Sequence, residues 1–82
     1  MEKDTVFMTL KNILVTEFHI DAGSISLEKH LESDLDLDSL DAVDLLNNMA
    51  DHLEGEPDPA LFKGARTLED LVNLLAPIWK QT

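Results

Sequence analysis

The chain has no cysteine, and this absence excludes disulfide bonds and metal sites built from thiolates. Basic residues are also scarce: six Lys and Arg face 17 Asp and Glu, so the formal net charge is −11. The electrostatic field of this negative charge repels nucleic acid phosphates and anionic membranes, and it attracts basic protein surfaces. The composition therefore predicts no nucleic acid partner and favours proteins with basic patches.

Long apolar runs are missing as well. No window reaches the length needed to span a bilayer, and the N-terminus begins Met1-Glu2-Lys3-Asp4 without the apolar stretch of a signal peptide. We therefore expect no membrane insertion and a cytoplasmic location. The 82 residues, 44% of them hydrophobic, suffice for one core, so we expect a single domain over residues 1–82.

Apolar residues at helical spacing near the N-terminus predict a first amphipathic helix from about Asp4 or Thr5 to about His19. A long connection follows, from Ile20 to Leu37. Loops of this length without structure are uncommon in small domains. We therefore expect a short helical turn near Leu27 to Leu31 and apolar side chains that pin the connection to the core. These side chains are Ile25, Leu27, Leu31 and Leu35.

A second helix is predicted from about Ser39 to about Leu53. A breaker with Gly55 and two prolines follows, and the apolar segment from Ala60 to Lys63 predicts one short turn of helix ended by Gly64. The apolar positions of the second helix are Val43, Leu45, Leu46, Met49 and Leu53.

The final helix is predicted to begin after Thr67, with Asp70 at the capping-box position, and to end near Leu75 or Ala76 because Pro77 follows. Trp79 lies beyond that proline, and the pattern leaves open whether it covers the end of the bundle or lies exposed. The buried stripe of this helix is Leu68, Leu71, Val72 and Leu75.

One serine lies where two patterns meet. Acids and leucines alternate through Asp38, and helical spacing begins at Leu40, so Ser39 is expected to be exposed at a helix start. An Asp-Ser pair before an apolar run is usually only a helix cap, because its side-chain oxygens accept from free backbone N–H groups. The longer string is more specific. It reads Leu31-Glu32-Ser33-Asp34-Leu35-Asp36-Leu37-Asp38-Ser39-Leu40.

This string resembles the signature of acyl carrier proteins, and the resemblance extends over almost the whole chain. It implies an all-α fold, a small up-down four-helix bundle with a long loop between the first two helices and a short third helix. On the family pattern, Leu45, Met49 and Leu53 of the second helix point to the core. It also implies that Ser39 accepts 4′-phosphopantetheine from coenzyme A. Since the chain has no cysteine, the sulfur of any acyl thioester must come from that arm.

The resemblance implies a monomeric, non-catalytic carrier that delivers acyl intermediates to enzymes of fatty acid, polyketide or specialised lipid synthesis. The implied partners are a phosphopantetheinyl transferase and acyl-transferring and condensing enzymes with basic docking patches. The acids and apolar residues around the second helix then form the docking face. Its predicted members are Asp34, Asp36, Asp38, Leu40, Asp41, Val43, Asp44 and Asp51.

Three departures from the family pattern stand out. Asp36 replaces the usual glycine, and Asp tolerates a positive φ less well than Gly. Asn47 replaces an apolar residue often found on the docking side, and the segment from Gly55 to Pro59 lacks the apolar residue that usually precedes its proline. Together they suggest a carrier dedicated to one pathway.

Other interpretations remain open. A peptidyl or aryl carrier of modular synthesis would share the serine and the arm, and an acidic helical interaction module would carry no cofactor. Asp34, Asp36 and Asp38 also copy the start of a calcium-binding EF-hand, but Ser39 and Leu45 stand where that loop needs Gly and Glu. The histidines lie outside any motif, so no chemical role is predicted for His19, His30 or His52.

Overall fold

The computed structural model describes residues 2–55 and 59–80. These residues form three α-helices, α1 (Glu2–Thr16), α2 (Ser39–Met49) and α3 (Leu68–Leu75). Four short 3-10 helices complete the order, at Ala22–Ser24, Ala50–His52, Pro59–Gly64 and Ala76–Ile78. The described residues contain no β-strand, only two isolated bridges, so the all-α prediction is confirmed.

The first helix is displaced toward the N-terminus from its predicted bounds. It begins at Glu2. The predicted start is later because the first turn is polar, and apolar spacing does not detect a polar turn. It ends at Thr16, before the predicted His19. His19 takes a left-handed conformation with φ 58°, and the N–H of Ile20 donates to the Leu14 carbonyl at 3.0 Å, which turns the chain out of the helix.

The connection between α1 and α2 contains helix at a different place from the one predicted. Ala22–Ser24 is helical, whereas the segment from Leu27 to Leu31 pairs with Arg66 and with the first residues of α3. The N–H of Glu69 donates to the Leu27 carbonyl at 2.9 Å, and the N–H of Leu31 donates to the Arg66 carbonyl at 2.9 Å. Backbone hydrogen bonds to a distant part of the chain therefore hold this segment. The spacing of apolar residues in the sequence cannot reveal such hydrogen bonds.

Apolar side chains from the connection and from all three helices form one core. α1 packs on both α2 and α3, and Pro59–Gly64 packs on α2 and α3. Among the predicted loop anchors, Leu27 is 36% exposed and therefore contributes less than predicted. The other anchors and the predicted core positions of α2 and α3 are buried, namely Ile25, Leu31, Leu35, Leu45, Met49, Leu53, Leu68, Leu71, Val72 and Leu75.

The second helix ends earlier than predicted, at Met49, and a 3-10 helix, Ala50–His52, carries the chain on to Leu53. Trp79, which the sequence left without a role, is only 7% exposed and forms an isolated bridge with Leu53. Its ring stacks on His52 with centroids 5.3 Å apart. The segment after α3 therefore closes the end of the bundle against the extension of α2.

The last helix begins as predicted, with Thr67 and Asp70 in a reciprocal capping box. The backbone N–H groups of Arg66 and Thr67 donate to Oδ2 of Asp70, at 3.1 and 3.2 Å. These hydrogen bonds, that of Arg66 foremost, hold the pKa of the Asp70 carboxyl below its ordinary value of 3.8. α3 ends at Leu75, as Pro77 predicted.

None of the helices in the described ranges has the length and apolar content that a bilayer crossing requires. The predicted breaker from Gly55 to Pro59 lies partly outside the described residues, since only Gly55 and the backbone of Pro59 belong to them. Gly55 has φ 74°, the left-handed conformation that favours glycine after a helical segment.

Candidate functional site

The Asp-Leu alternation before Ser39 separates buried leucines from exposed acids. Leu35 and Leu37 are buried in the core, whereas Asp36 and Asp38 are exposed. Asp36, which replaces the glycine of the resembled pattern, has φ 57°. The backbone there does take the left-handed conformation, and this turn brings both neighbouring leucines into the core.

A reciprocal capping box fixes the start of α2. The Asp38 Oδ1 atom accepts from the Asp41 N–H at 2.9 Å, and the Asp41 Oδ2 atom accepts from the Asp38 N–H at 3.2 Å. The sequence left open whether Asp38 or Ser39 caps this helix, and the structure assigns the cap to Asp38. The Ser39 hydroxyl is therefore not used to satisfy the helix terminus.

Ser39 is the first residue of α2, and it is exposed. In the described part of the chain its hydroxyl has no hydrogen-bond partner. An exposed hydroxyl without a partner, on a helix end that is already capped, can be approached by a second protein without disturbing the fold.

A cavity of about 240 Å³ opens beside this serine, between the start of α2 and the Pro59–Gly64 helix. We call it the Ser39 cavity. It exceeds the roughly 150 Å³ of an apolar cavity that accommodates benzene. Ser39 lines it together with Glu32, Asp38 and Lys63. Its apolar lining comes from Leu31, Leu37, Ala42, Val43 and Ala65.

The predicted docking residues share one exposed region around α2. Leu40 is 80% exposed and Val43 is 41% exposed, so Leu40 does not pack on Leu37 or the loop. Asp44 and Asn47 lie on the same side of the helix at spacings of four and seven residues from Leu40, and both are exposed. This face offers apolar groups beside acids.

Some of the predicted docking acids also have structural roles. Asp38 and Asp41 form the capping box, and Asp34 Oδ2 accepts from the His30 N–H at 2.8 Å. Asp51 is exposed in the Ala50–His52 helix, roughly 20 Å along the axis from Ser39 at helical rise. Asp36 and Asp38 line a cavity together with Ser39, and Asp41 is hydrogen-bonded to Asp38, whereas Asp51 lies at the far end of the face.

The carboxylates near Ser39 do not converge on a common point. Asp34 and Asp38 accept from backbone N–H groups, and Asp36 lies in the left-handed turn between them. Across residues 2–55 and 59–80, no three His, Asp or Glu side chains lie close enough to hold a metal ion.

Sequence reasoning missed the far wall of the Ser39 cavity. Lys63 and Ala65 line it, although they follow Ser39 by more than 20 residues. Lys63 carried one signal, since it is one of only six basic residues in an acidic chain. The pattern could not place it, because its position depends on how Pro59–Gly64 packs on α2 and α3.

The comparisons with known proteins agree with this geometry. Residues 9–75 match the family model described as "Phosphopantetheine attachment site". An acyl carrier protein of Picosynechococcus sp. is 34% identical over 71 residues, which cover 87% of this chain and 88% of that protein. The chain belongs to the acyl carrier protein family. An acyl carrier protein of Coprothermobacter proteolyticus is 33% identical over 75 residues, 92% of each chain. Acyl carrier protein 2 of Ralstonia nicotianae is 33% identical over 72 residues, 88% of this chain and 89% of that protein.

Membership of this family settles the class of activity. Acyl carrier proteins are non-catalytic carriers with a 4′-phosphopantetheine arm, and they work together with enzymes. In the described residues, the exposed Ser39 hydroxyl has no partner and borders a cavity with a mostly apolar lining.

Proposed function

We propose that Ser39 carries the 4′-phosphopantetheine arm and that the chain delivers acyl groups to enzymes of fatty acid, polyketide or specialised lipid synthesis. The observation that carries this proposal is the Ser39 hydroxyl itself, which is exposed, has no partner in the described residues and follows the capping aspartate. The chain has no cysteine and therefore no thiol of its own. When bound, the arm supplies the thiol that holds acyl groups as thioesters.

The chain's own residues have three tasks in this function. Asp38 and Asp41 hold the start of α2, so that Ser39 keeps a fixed position for the transferase. The apolar lining of the Ser39 cavity gives a short apolar segment a place away from water. The exposed face of α2 docks the partner enzymes.

The docking face is proposed to combine steering with an apolar anchor. Its acids attract basic patches and speed encounters, and its rim charges contribute little to the lifetime of the complex. Leu40, 80% exposed beside the serine, supplies the anchor that a partner buries. The full proposed set is Asp34, Asp36, Asp38, Leu40, Asp41, Val43, Asp44 and Asp51.

Several finer features belong to the same proposal. We propose a single carrier domain in which Pro59–Gly64 is the short third member of a four-helix bundle. We also propose that it works as a monomer in the cytoplasm and that a phosphopantetheinyl transferase modifies it there. The support for these features is the likeness to carriers of the family.

Replacement of the serine tests the proposal. Ser39→Ala is incubated with coenzyme A, magnesium and a broad-specificity transferase beside the wild type and Ser33→Ala, which removes an exposed hydroxyl from the preceding loop. Intact mass should show arm incorporation in the wild type and in Ser33→Ala, and none in Ser39→Ala. Circular dichroism should show the same helix content in all three. Full incorporation into a folded Ser39→Ala protein would refute the assignment.

A further inference from the structure

Ser39 borders two cavities whose charges differ. The charged residues that line the Ser39 cavity are Glu32, Asp38 and Lys63. A second cavity, of about 410 Å³, is lined by Glu32, Asp36, Leu37, Asp38 and Ser39 and contains no basic residue. Since Glu32 and Asp38 line both cavities, the two sides of a group attached to the Ser39 oxygen differ in charge by Lys63 on one side and Asp36 on the other.

Lys63 is the basic residue that lines the Ser39 cavity. It is exposed, and it forms no ion pair within residues 2–55 and 59–80. A neighbouring cavity of about 400 Å³ is lined by Lys63 and Arg66 as well as Glu32, so a second cation lies on this side of the serine. Asp36, which is exposed, lines the second cavity of Ser39 and not the Ser39 cavity.

We propose that Lys63 is a positioning residue that draws the phosphodiester of the arm, and with it the first part of the arm, toward the Ser39 cavity. This inference rests on the proposed attachment at Ser39. A phosphodiester is an anion, so Glu32 and Asp38 repel it on both sides of the serine. Asp36 repels it from the second cavity alone, and the Lys63 ammonium group attracts it toward the Ser39 cavity. Attraction and repulsion therefore favour the same side of the serine.

The size of the effect suits a carrier. Lys63 is exposed, and exposed ion pairs contribute little because water and salt screen them. The contact biases where the arm rests without trapping it, so a partner enzyme can still withdraw the arm. Screening also makes the contact sensitive to ionic strength, which separates it from apolar packing.

Four proteins test the role of Lys63, each converted fully to the form with the arm and checked by intact mass. They are the wild type, Lys63→Gln, Lys63→Arg and Lys3→Gln. Lys3→Gln makes the same charge change at an exposed lysine that lines neither cavity of Ser39. The measurements are the phosphorus chemical shift of the phosphodiester and the amide shift changes on arm attachment at Ala42, Val43 and Ala65, at low and high salt.

In the wild type and in Lys3→Gln, attachment should shift the cavity amides, and added salt should reduce those shifts. In Lys63→Gln the population of arm at the cavity should fall about two- to fourfold, as expected for an exposed ion pair, and lose its salt dependence. Lys63→Arg should restore both. These readouts do not depend on any enzyme that uses the carrier.

The outcomes separate the two proposals. If the wild type takes up no arm, or carries it on another residue, both the attachment at Ser39 and the role of Lys63 are wrong. If all four proteins carry the arm on Ser39 and Lys63→Gln matches the wild type in phosphorus shift, amide shifts and salt response, only the role of Lys63 is wrong. A loss of equal size in Lys3→Gln also overturns that role, because it reveals a general effect of charge.

Discussion

Asp36 shows how a single residue shapes the approach to Ser39. Its φ of 57° places an L-residue in the left-handed region, at a cost of roughly 1–2 kcal/mol per residue. We predict that Asp36→Gly is more stable than Asp36→Ala by about 1 kcal/mol, measured by urea unfolding. Ser33 is the control, because its backbone is not left-handed and the order of Gly and Ala should reverse there. Equal stability of the two Asp36 variants would contradict the conformation seen here.

The Asp70 carboxyl makes the stability of the fold at the start of α3 depend on pH. Hydrogen bonds from the backbone N–H of Arg66, and then of Thr67, favour its charged form and lower its pKa in the folded state. The stabilisation is therefore complete above the unfolded-state pKa and is lost as pH falls through the lower folded-state pKa. The relevant window lies below the ordinary value of 3.8.

We predict that Asp70→Asn loses part of the decline in stability that the wild type shows on acidification. The measurement is the free energy of unfolding between about pH 2.5 and pH 6. Glu69→Gln is the matched control, since it removes a neighbouring exposed carboxylate whose side chain accepts no backbone hydrogen bond within the described ranges. Identical pH profiles for Asp70→Asn and the wild type would show that the capping carboxylate is not linked to stability.

Contacts between secondary-structure elements hold the segment after α3 against the segment that follows α2. Trp79 bridges to Leu53, the Lys80 N–H donates to the His52 carbonyl, and the Glu54 N–H donates to the Ile78 carbonyl, both at 2.8 Å. Two short segments thus close one end of the bundle around a buried indole ring.

We predict that Trp79→Ala lowers the free energy of unfolding by about 3 kcal/mol, the usual cost of truncating a buried large aromatic side chain. Met8→Ala is the control, because Met8 is an apolar side chain of α1 that is 60% exposed and should change stability by less than about 0.5 kcal/mol. Urea unfolding followed by circular dichroism measures both. A similar small loss in the two variants would mean that Trp79 does not hold this end of the fold.

The sequence predicted those features of the helices that depend on residues close together in the chain. Apolar spacing revealed the buried stripe of α3, and the Thr67 and Asp70 pair located the start of that helix. It misplaced the helical turn of the long connection, because backbone pairing of Leu27 and Leu31 with residues at the start of α3 decides that conformation. Trp79 stayed without a role for the same reason, since its partners lie 26 and 27 residues earlier in sequence, at Leu53 and His52.

The candidate site divides in the same way. Ser39, its acids and the exposed Leu40 belong to one continuous string, so the sequence alone indicated them. Lys63 reaches the Ser39 cavity only through the packing of Pro59–Gly64 on α2, which no local pattern encodes. Expectations that rest on neighbouring residues could therefore be formed early, and those that rest on distant contacts could not.

The whole molecule carries a formal net charge of −11 on 82 residues, so its folded state works against self-repulsion. We predict that the melting temperature rises by several degrees as sodium chloride increases from about 0.01 to 0.3 M, because the Debye length falls from about 30 Å to below 8 Å. Differential scanning calorimetry measures the change. A melting temperature that is constant or falls over this range would mean that self-repulsion does not limit stability.

The most direct test of the assignment to Ser39 locates the arm in the wild-type protein. After conversion with coenzyme A and a transferase, proteolysis and tandem mass spectrometry assign the modified residue among the four serines, Ser24, Ser26, Ser33 and Ser39. Every modified fragment should carry the arm on Ser39. Fragments that carry it on Ser33 or on any other residue would contradict the central claim.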